Sequence, residues 1–504
     1  MSVHVVIVGG GLAGLAAAAG LAGRPGLRIT LLESRPRWGG RASSFVDQTT
    51  GETIDNCQHV ALGCCTCFRH FCRTIGIEGM FCRERELTFI GPEGRTSRMA
   101  AAPLPAPLHL APAFARFNFL SWRDKLGLAR GLRALARTDP KSADAGSFLD
   151  WLKRHGQTPV AIDRFWHVVL VSALSETLDR IDVGHARKVF VDAFLANRHG
   201  WEVWLPTAPL DELYGPRLEA WLADRNVTCR LQCGASSVLM QVADGAISAN
   251  PASPAGARAT GVELRSGEQI DADEIVLAVP QNLVLPLLPD EYRSFPDLAG
   301  IERLETAPIS SVHLWFDRPI TRLRHATFVG RQSQWMFNRS AIQGGTTIHA
   351  PPPTPPLPRG GELDAEIRNP KSELSYYQVV ISASRDVVER GQEATIRAVV
   401  DELAAVWPVV RDARLVHARL VTEHKAVVSM LPGVDWLRPA QQSPIENLQL
   451  AGDWTQTGWP GTMEGAVRSG YLAAENVLRR CGINAHLVQP DLPVALLSKI
   501  LFGL

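Results

Sequence analysis

The sequence predicts an α/β fold in which a parallel sheet is interrupted by a second region of mixed helices and strands. An apolar, β-branched run from Val5 to Val8 has the composition of a buried parallel strand. A glycine-rich turn and an alanine-rich helix ending near Leu21 follow it, and the run "LRITLLE" provides a second strand. Strand, glycine turn, helix and strand in this order are the start of a Rossmann-like domain.

The turn after the first strand has the spacing of a dinucleotide-binding loop. Gly9, Gly11 and Gly14 match the pattern G-x-G-x-x-G in "VVIVGGGLAGLAAA". The first glycine makes the tight turn, the second lets backbone approach a pyrophosphate, and the third lets the helix pack on the strand. The N–H groups at the helix start, at Leu12 and Ala13, are expected to face the phosphates.

The second strand supplies the acidic residue that such loops require. Glu33 ends this strand and Ser34 follows it. A carboxylate about 20 residues after the loop is expected to bind a ribose hydroxyl. Further along, "ESRPRWGGRAS" contains Gly39, Gly40 and Arg41, and the guanidinium offers a planar set of donors to phosphate oxygens.

A second glycine-rich segment lies near the other end of the chain, in "NLQLAGDWTQTGWPGTMEGAVRSG". It begins with a strand, continues through a turn between Gly458 and Gly461, and ends in a helix that Thr462 is placed to cap. A helix N-terminus favours negative charge beside it. The candidate cofactor-binding residues of this segment are Gly452, Asp453, Gly461, Thr462 and Met463.

These two segments together resemble the glutathione-reductase-type FAD fold of the flavin amine oxidase and phytoene desaturase superfamily. The resemblance implies an extended FAD, with its adenine end at the N-terminal loop and its isoalloxazine ring at the C-terminal segment. It places residues 39–41 along the pyrophosphate and Asp453 at the ribityl–phosphate region. It also implies an adenine contact at Ser237, in "CRLQCGASSVLM".

A further stretch, "IDNCQHVALGCCTCFRHFC", resembles the hydroxysqualene dehydroxylase family, also called squalene-associated FAD-dependent desaturases, of bacterial hopanoid and squalene synthesis. Asp55, Asn56, Gln58 and His59 match that family's D-N-G-Q-H motif, and Cys57 replaces its glycine. The resemblance extends through "APLHLAP", "HLWFDRPI" and the C-terminal glycine-rich segment. It implies replacement of the hydroxyl of hydroxysqualene, an isoprenoid lipid, by hydrogen, with an electron donor that the sequence does not identify.

Such a reaction needs an acid and a dry apolar tunnel beside the flavin. His59 is the first candidate for the acid or for a donor that orients the hydroxyl; a structural contact is the alternative. Gln58 is a neutral hydrogen-bonding partner. Glu464 is either a second acid or a carboxylate that binds N–H groups at a helix start. Asp55 is expected to fix the loop, and His313 faces either core or substrate.

Three other functions share parts of this pattern. A carotenoid-type desaturase or isomerase shares FAD and an apolar tunnel. An amine oxidase is less favoured, because no aromatic pair is evident near the C-terminal motif. A prenyl-binding escort of the GDI type shares the scaffold without needing both cofactor segments.

The motifs divide the chain into a discontinuous cofactor domain and an inserted substrate domain. We assign 1–95, 211–285 and 415–480 to the FAD-binding domain, and 96–210 and 286–414 to the substrate domain. The runs "SSVHLWF" and "SYYQVVISAS" predict strands of the substrate domain, and the Pro/Gly-rich "APPPTPPLPRGGELD" predicts an insertion between strands.

The apolar tail, 481–504, is expected to dock on the protein or to rest in a membrane interface. The stretch 104–135 predicts a packed helical lid or a route for lipid access. A signal peptide would have Lys or Arg before its apolar segment, and the apolar N-terminus here has neither. No other stretch is apolar for long enough to span a bilayer. We expect a cytoplasmic protein that can lie at the inner membrane surface.

Charge and cysteine usage narrow the possible partners. The formal net charge is +1, so a nucleic acid partner is not expected. Six of the nine cysteines lie between Cys57 and Cys82. Those from Cys64 to Cys72 fall at helical spacing with Phe68 and Phe71, which predicts one buried helix face and no metal site.

Overall fold

The computed structural model describes residues 2–140, 146–241, 257–344 and 374–504. The expected Pro/Gly-rich insertion, 350–364, lies outside the described residues. The described strands are, in chain order, β1 (Val3–Val8), β2 (Leu27–Leu32), β3 (Ser44–Val46), β4 (Thr53–Asp55), β5 (Ala61–Leu62), β6 (Phe81–Glu84), β7 (Glu86–Ile90), β8 (Thr96–Ala100), β9 (Val203–Pro206), β10 (Val227–Arg230), β11 (Ala235–Met240), β12 (Ala259–Leu264), β13 (Gln269–Asp271), β14 (Glu274–Leu277), β15 (Thr306–Phe316), β16 (His325–Phe328), β17 (Trp335–Asn338), β18 (Ser375–Ser382), β19 (Leu415–Val428) and β20 (Leu448–Leu450).

Helices cover the sheets that these strands form. The described α-helices are α1 (Leu12–Leu21), α2 (Thr66–Thr74), α3 (Ala111–Ala115), α4 (Trp122–Arg137), α5 (Phe148–Arg154), α6 (Pro159–Ala161), α7 (Val168–Leu174), α8 (Val183–Lys188), α9 (Leu210–Tyr214), α10 (Pro216–Ala223), α11 (Gln281–Leu287), α12 (Asp290–Arg293), α13 (Pro296–Ala299), α14 (Arg339–Ile342), α15 (Arg385–Arg390), α16 (Gln392–Val406), α17 (Met463–Arg480) and α18 (Leu496–Phe502). Two π-helical turns, Ile162–His167 and Val189–Leu195, continue α6 into α7 and extend α8.

The predicted parallel sheet is present, with five strands in the order β10-β2-β1-β14-β20. Strand β1 pairs in parallel with β2 and β14, and β20 adds to β14. Val6 and Val8 enter one apolar core, whereas Val5 and Ile7 enter another. Both faces of β1 are therefore covered, which explains its uninterrupted apolar sequence.

Helices from the two ends of the chain form a single layer on this sheet. Every residue of α1 is buried, and α17 packs against it. A Cβ atom at Gly470 would collide with the carbonyl oxygen of Ala13 and would lie 3.0 Å from Cβ of Ala16. The absence of a side chain at Gly470 thus lets the two helix backbones approach closely.

The second sheet has seven strands in the order β19-β15-β18-β17-β16-β7-β8. It contains both strands predicted for the substrate domain, since β15 and β18 pair antiparallel. The domain limits remain a prediction. Strands on both sides of two of these limits, 95/96 and 414/415, lie in this one sheet. Strand β19 pairs with β15, so 415–428 belongs to this sheet, and β7 joins it through β16.

The C-terminal tail docks on the protein body, which was one of its two expected placements. The Ser498 hydroxyl donates to the carbonyl oxygen of Leu195 at 2.6 Å, and Phe502 packs against the apolar cluster around Ala136. Within the described residues, no helix combines the length and apolar character needed to cross a membrane.

Candidate active site

A cavity of about 940 Å³ joins the two glycine-rich segments. Seventeen of the predicted site residues line it. They come from the N-terminal glycine loop, from residues 33–41, from the 55–59 loop and from the C-terminal glycine-rich segment. They are Gly9, Gly11, Leu12, Ala13, Glu33, Ser34, Gly39, Gly40, Arg41, Gln58, His59, Gly452, Asp453, Gly461, Thr462, Met463 and Glu464. Two predicted residues, Gly14 and Ser237, are not among the lining residues.

The three glycines of the first loop have different surroundings. Gly9 has a φ of +112°, and a Cβ atom there would collide with the carbonyl oxygen of Ala278. A Cβ atom at Gly14 would collide with the carbonyl oxygen of Gly9, so Gly14 serves the predicted helix–strand packing. At Gly11 the nearest atom is Cα of Gly40 at 4.0 Å, so a side chain there would occupy the cavity instead.

The start of α1 and Glu33 give this end of the cavity its polar character. No side chain caps α1, which leaves its first N–H groups available to an anion. The Glu33 carboxylate accepts hydrogen bonds from the N–H groups of Gly10 and Arg35, both at 2.8 Å. Glu33 therefore fixes the loop in addition to lining the cavity.

An ion pair joins the two cofactor segments directly. Arg41 Nη2 donates to Asp453 Oδ1 at 2.5 Å, and Arg41 Nη1 donates to the carbonyl oxygen of Ala426 at 2.8 Å. Burial alone would lower the pKa of Arg41, but the Asp453 carboxylate beside it raises that pKa above its ordinary value. Arg41 thus remains charged at the point where the segments meet.

Arg438 holds the C-terminal loop, and we did not predict this residue from the sequence. It is buried, and its Nη2 atom donates to the carbonyl oxygens of Asp453, Thr455 and Trp459 at 3.1, 2.6 and 2.7 Å. Nothing in the local sequence distinguishes it from a surface arginine. Thr462 caps α17 as predicted, its hydroxyl accepting from the N–H of Gly465 at 3.2 Å.

The adenine contact at Ser237 stays a prediction, and the structure places Ser237 just outside the cavity lining. The Ser237 hydroxyl donates to Glu263 Oε2 at 3.1 Å, within the small antiparallel sheet of β11 and β12. The residues of this stretch that line the cavity are 233–236. Only the start of β11 borders the cavity, because the strand then continues into that sheet.

The 55–59 loop is fixed by a buried ion pair with Arg339, the first residue of α14, which directly follows strand β17 of the second sheet. Arg339 Nη2 donates to Asp55 Oδ2 at 2.6 Å, and Arg339 Nη1 donates to Gln58 Oε1. Asp55 also accepts from the Ser44 hydroxyl and the N–H of Leu210. Asp55 therefore has the loop-fixing role that we expected, while Arg339 was missed because it lies far away in sequence.

His59 has a defined tautomer. Its Nδ1 atom lies 3.0 Å from the carbonyl oxygen of Cys57, which can only accept, so Nδ1 carries the proton. Burial lowers the pKa of His59 below its ordinary value. The neutral ring then has an unprotonated Nε2, which accepts a hydrogen bond. The His59 ring is thus suited to orienting a hydroxyl as an acceptor, and less suited to the donor or acid role that we predicted.

Glu464 binds helix N–H groups, but they belong to another helix. Its carboxylate accepts from the N–H groups of Cys67 and Phe68, at 3.1 and 2.8 Å, at the start of α2. Burial raises the pKa of Glu464, while these donors and Arg468 favour the ionised form. With both oxygens engaged, Glu464 joins α17 to α2 and is poorly placed to act as an acid.

The remaining wall of the cavity is apolar and largely aromatic. Phe117 and Phe119 stack with ring centroids 5.0 Å apart, and Phe165 lies between Phe114 and Phe190 at 5.6 and 5.8 Å. The phenylalanines that line the cavity are Phe89, Phe114, Phe117, Phe119, Phe165, Phe190, Phe194, Phe337 and Phe502. Several of them come from the two π-helical turns, a feature often associated with functional sites.

Charged side chains interrupt this apolar wall at Arg164 and at the pair Lys188 and Asp192. Lys188 and Asp192 both line the cavity, and Lys188 Nζ lies 2.6 Å from Asp192 Oδ2. The same Nζ atom lies 4.4 Å from the ring centroid of Trp459, in the C-terminal cofactor loop. Their four-residue spacing was the only sequence signal for this pair, and that spacing is common on helix surfaces.

His313 and the cysteines of α2 have structural roles. His313 is buried away from the cavity, with Nδ1 2.7 Å from the Tyr376 hydroxyl, so it faces the core. The predicted cysteine-bearing helix is confirmed as α2, whose Cys67 and Cys72 are buried with its phenylalanines. Among the described residues, no group of three or more His, Cys, Asp or Glu side chains is arranged to hold a metal ion.

The residues present fit FAD. The open space at Gly11, the uncapped start of α1, Glu33 and Arg41 suit a ribose and a pyrophosphate, and the Gly452–Met463 loop continues the same cavity. The fold and this site define an FAD-dependent oxidoreductase. The chain belongs to the flavin-containing amine oxidoreductase family, whose model matches residues 12–478.

Similar proteins agree with this assignment. The chain is 26% identical over 494 residues to the 15-cis-phytoene desaturase of Solanum lycopersicum, covering 94% of this chain and 78% of that protein. It is 26% identical over 504 residues to a probable zeta-carotene desaturase of Synechococcus elongatus, covering 96% and 100%.

Solved structures share the fold. An oxidoreductase from Methanosarcina mazei superposes with a TM-score of 0.66 at 15% identity, covering 94% of this chain and all of that one. Cyclohexylamine oxidase from Brevibacterium oxydans superposes with a TM-score of 0.63 at 16% identity, covering 96% and 100%.

Proposed function

We propose that this FAD-dependent oxidoreductase reductively removes the allylic hydroxyl of hydroxysqualene to give squalene, in hopanoid and squalene biosynthesis. One observation carries the proposal: the 56–59 part of the Asp-Asn-Cys-Gln-His motif lines the same cavity as the cofactor loops and the phenylalanine wall. That arrangement supports a long apolar substrate with one polar group near the cofactor. Carotenoid desaturases among the relatives are consistent with a lipophilic isoprenoid.

The reaction breaks a C–O bond and forms a C–H bond. The hydroxyl takes up a proton and leaves as water, and the allylic carbon accepts a hydride. Reduced FAD, when bound, supplies that hydride. The chain must therefore orient the hydroxyl, deliver a proton and keep water out of the apolar part of the cavity.

Two side chains are suited to these tasks. His59 Nε2 accepts a hydrogen bond from the hydroxyl and so aims the oxygen, because its Nδ1–H is already bound to Cys57. The Lys188 ammonium, held by Asp192, is a charged donor in this wall, whereas the other one, Arg164, donates to the carbonyl oxygen of Phe119. We assign proton delivery to Lys188 and positioning of the hydroxyl to His59.

The test is a single turnover without oxygen. Protein reduced with dithionite is mixed with hydroxysqualene, and squalene is measured along with return of the oxidised flavin spectrum. We expect one squalene per flavin oxidised. Lys188→Met should slow this step about 100-fold with flavin content unchanged, within the range for loss of a general acid. Flavin that stays reduced, with no squalene formed, would overturn the proposal.

A carotenoid-type desaturase is the second candidate, favoured by the two named relatives. It differs in the direction of electron flow, since a desaturase takes electrons from its substrate. Oxidised protein mixed with phytoene should then become reduced, whereas the dehydroxylase should leave phytoene unchanged. The two assays use the same preparation and separate the functions directly.

A further inference from the structure

Helix α4 has an outer face that is unusual for a soluble protein. Its inner face, which includes Leu128 and Leu135, is buried in the core. On the outside, Trp122 is 72% exposed and Leu126 is 55% exposed, and Ala129 continues the same stripe one turn further on. Exposed apolar side chains at this helical spacing form a continuous stripe, and are not single apolar residues scattered over the surface.

Helix α18 extends this apolar surface. It packs against α4, and its Phe502 contacts the cluster formed by Leu132 and Ala136. On its outer side, Leu496 is 73% exposed and Ile500 is 66% exposed. The two helices thus expose apolar side chains in one region of the molecule.

The charges of these two helices have one dominant sign. Helix α4 exposes Arg123, Arg130, Arg133 and Arg137, and its acidic residue, Asp124, is buried in the capping interaction with Ser121. Helix α18 exposes Lys499 and contains no acidic residue. The nearest acidic residues outside the two helices are the exposed Asp139, just beyond α4, and the exposed Asp491, which precedes α18 and accepts from Arg468. An apolar stripe bordered by arginines is complementary to the interface of an anionic bilayer.

The same helices border the cavity. Ala129 and Leu132 of α4 and Phe502 of α18 line it, together with Leu108 from the preceding segment. Ala129 is also exposed, so the cavity wall and the outer surface meet there. A lipid leaving the bilayer at this point would enter apolar surroundings without crossing water.

We propose that α4 and α18 form a docking face that binds the surface of an anionic membrane and sets the cavity mouth against it. Trp122, Leu126, Leu496 and Ile500 insert among the lipids, and the α4 arginines contact the phosphate headgroups. This proposal concerns binding alone, so it does not depend on which reaction the flavin site performs.

The experiment is sedimentation of the full-length flavoprotein with vesicles. Phosphatidylcholine vesicles are compared with vesicles that also contain phosphatidylglycerol, at low and high salt. We expect binding to the anionic vesicles that weakens with salt. The double variant W122E/L126E should bind at least about tenfold more weakly, because it loses buried apolar area and gains negative charge.

Trp436 provides a matched control, because it is 83% exposed but lies outside α4 and α18. W436E should bind vesicles as the unchanged protein does, and all variants should keep their flavin spectrum. Equal binding by W122E/L126E, equal loss in W436E or no sedimentation with any vesicle would each overturn the proposal. A dimer in light scattering that W122E/L126E alone abolishes would instead identify a second copy as the occupant.

Discussion

The two ends of the cavity are built on different principles. The cofactor end consists of loops held by hydrogen bonds and ion pairs, such as Arg41–Asp453 and Arg438 with three carbonyl oxygens. The substrate end consists of packed phenylalanines contributed by helices and strands that are distant in sequence. Directional contacts fix atoms at the first end, whereas the second end is defined by shape and by exclusion of water.

This difference has a consequence for mutational sensitivity. Removing one partner from a buried polar pair leaves an unsatisfied charge, which costs several kcal/mol. Truncating one ring that faces the cavity instead enlarges the cavity and removes contact area for the substrate. The predictions below test this contrast in order of decreasing effect.

The largest effect is expected at the buried ion pair between Asp55 and Arg339, which fixes the 55–59 loop. The substitution D55N keeps the shape but leaves the Arg339 guanidinium buried without its counter-charge. We expect a loss of about 3–5 kcal/mol in the free energy of unfolding, measured with urea. The exposed pair Asp386–Arg390 gives a matched control, and D386N should unfold at the same urea concentration as the unchanged protein.

The glycine loop should show two separable effects. G14A forces a Cβ atom onto the carbonyl oxygen of Gly9 and should cost about 3 kcal/mol of stability. G11V places its side chain in the open cavity, so the apoprotein should melt normally while FAD binds poorly. Calorimetry of apoprotein, followed by flavin titration, measures both. Equal destabilisation by the two substitutions would contradict this assignment of roles.

The buried side chain of His313 should make the stability of the protein depend on pH. Burial lowers the pKa of His313 to about 3. In the unfolded chain this ring titrates near 6.5, so the unfolded state binds more protons below that pH. The contribution is therefore fully present above pH 6.5 and is lost as pH falls toward 3. Between pH 7 and pH 5, H313N should lose about 2 kcal/mol less stability than the unchanged protein. Identical pH profiles would show that His313 is charged when folded.

The smallest effect is expected within the phenylalanine wall. F114A removes one ring from a set of edge-to-face contacts and should raise KM for the proposed isoprenoid substrate about tenfold, with kcat little changed. Steady-state kinetics with detergent-dispersed substrate measures it. A fall in kcat alone would mean that Phe114 also positions the reacting carbon.

The cofactor end could be predicted in detail because its chemistry depends on local sequence. Glycine positions, the strand-terminal Glu33 and the cap at Thr462 each follow from spacing within a few residues. Arg339 and Arg438 could not be predicted, because their partners lie elsewhere in the chain and many arginines have similar neighbours. Ser237 lies one residue beyond the last cavity-lining residue of this stretch, Ser236, since the sequence does not show where β11 leaves the cavity.

The substrate end was predictable only as an apolar region. The stretch 104–135 suggested a lid or a lipid route, but the π-helical turns have no clear sequence signature. These turns present Phe165, Phe190, Phe194 and Asp192 to the cavity. Their placement depends on tertiary packing, which spacing alone does not report.

The close packing of Gly470 against α1 also affects how the chain folds while it is being synthesised. Leu21, at the end of α1, leaves the ribosome long before Met463, at the start of α17. Until then, an alanine- and leucine-rich helix has no cover on the side that α17 will occupy. FAD consequently binds only after the C-terminal segment has been synthesised. A chain that stalls before residue 463 exposes an apolar N-terminal segment to chaperones and proteases.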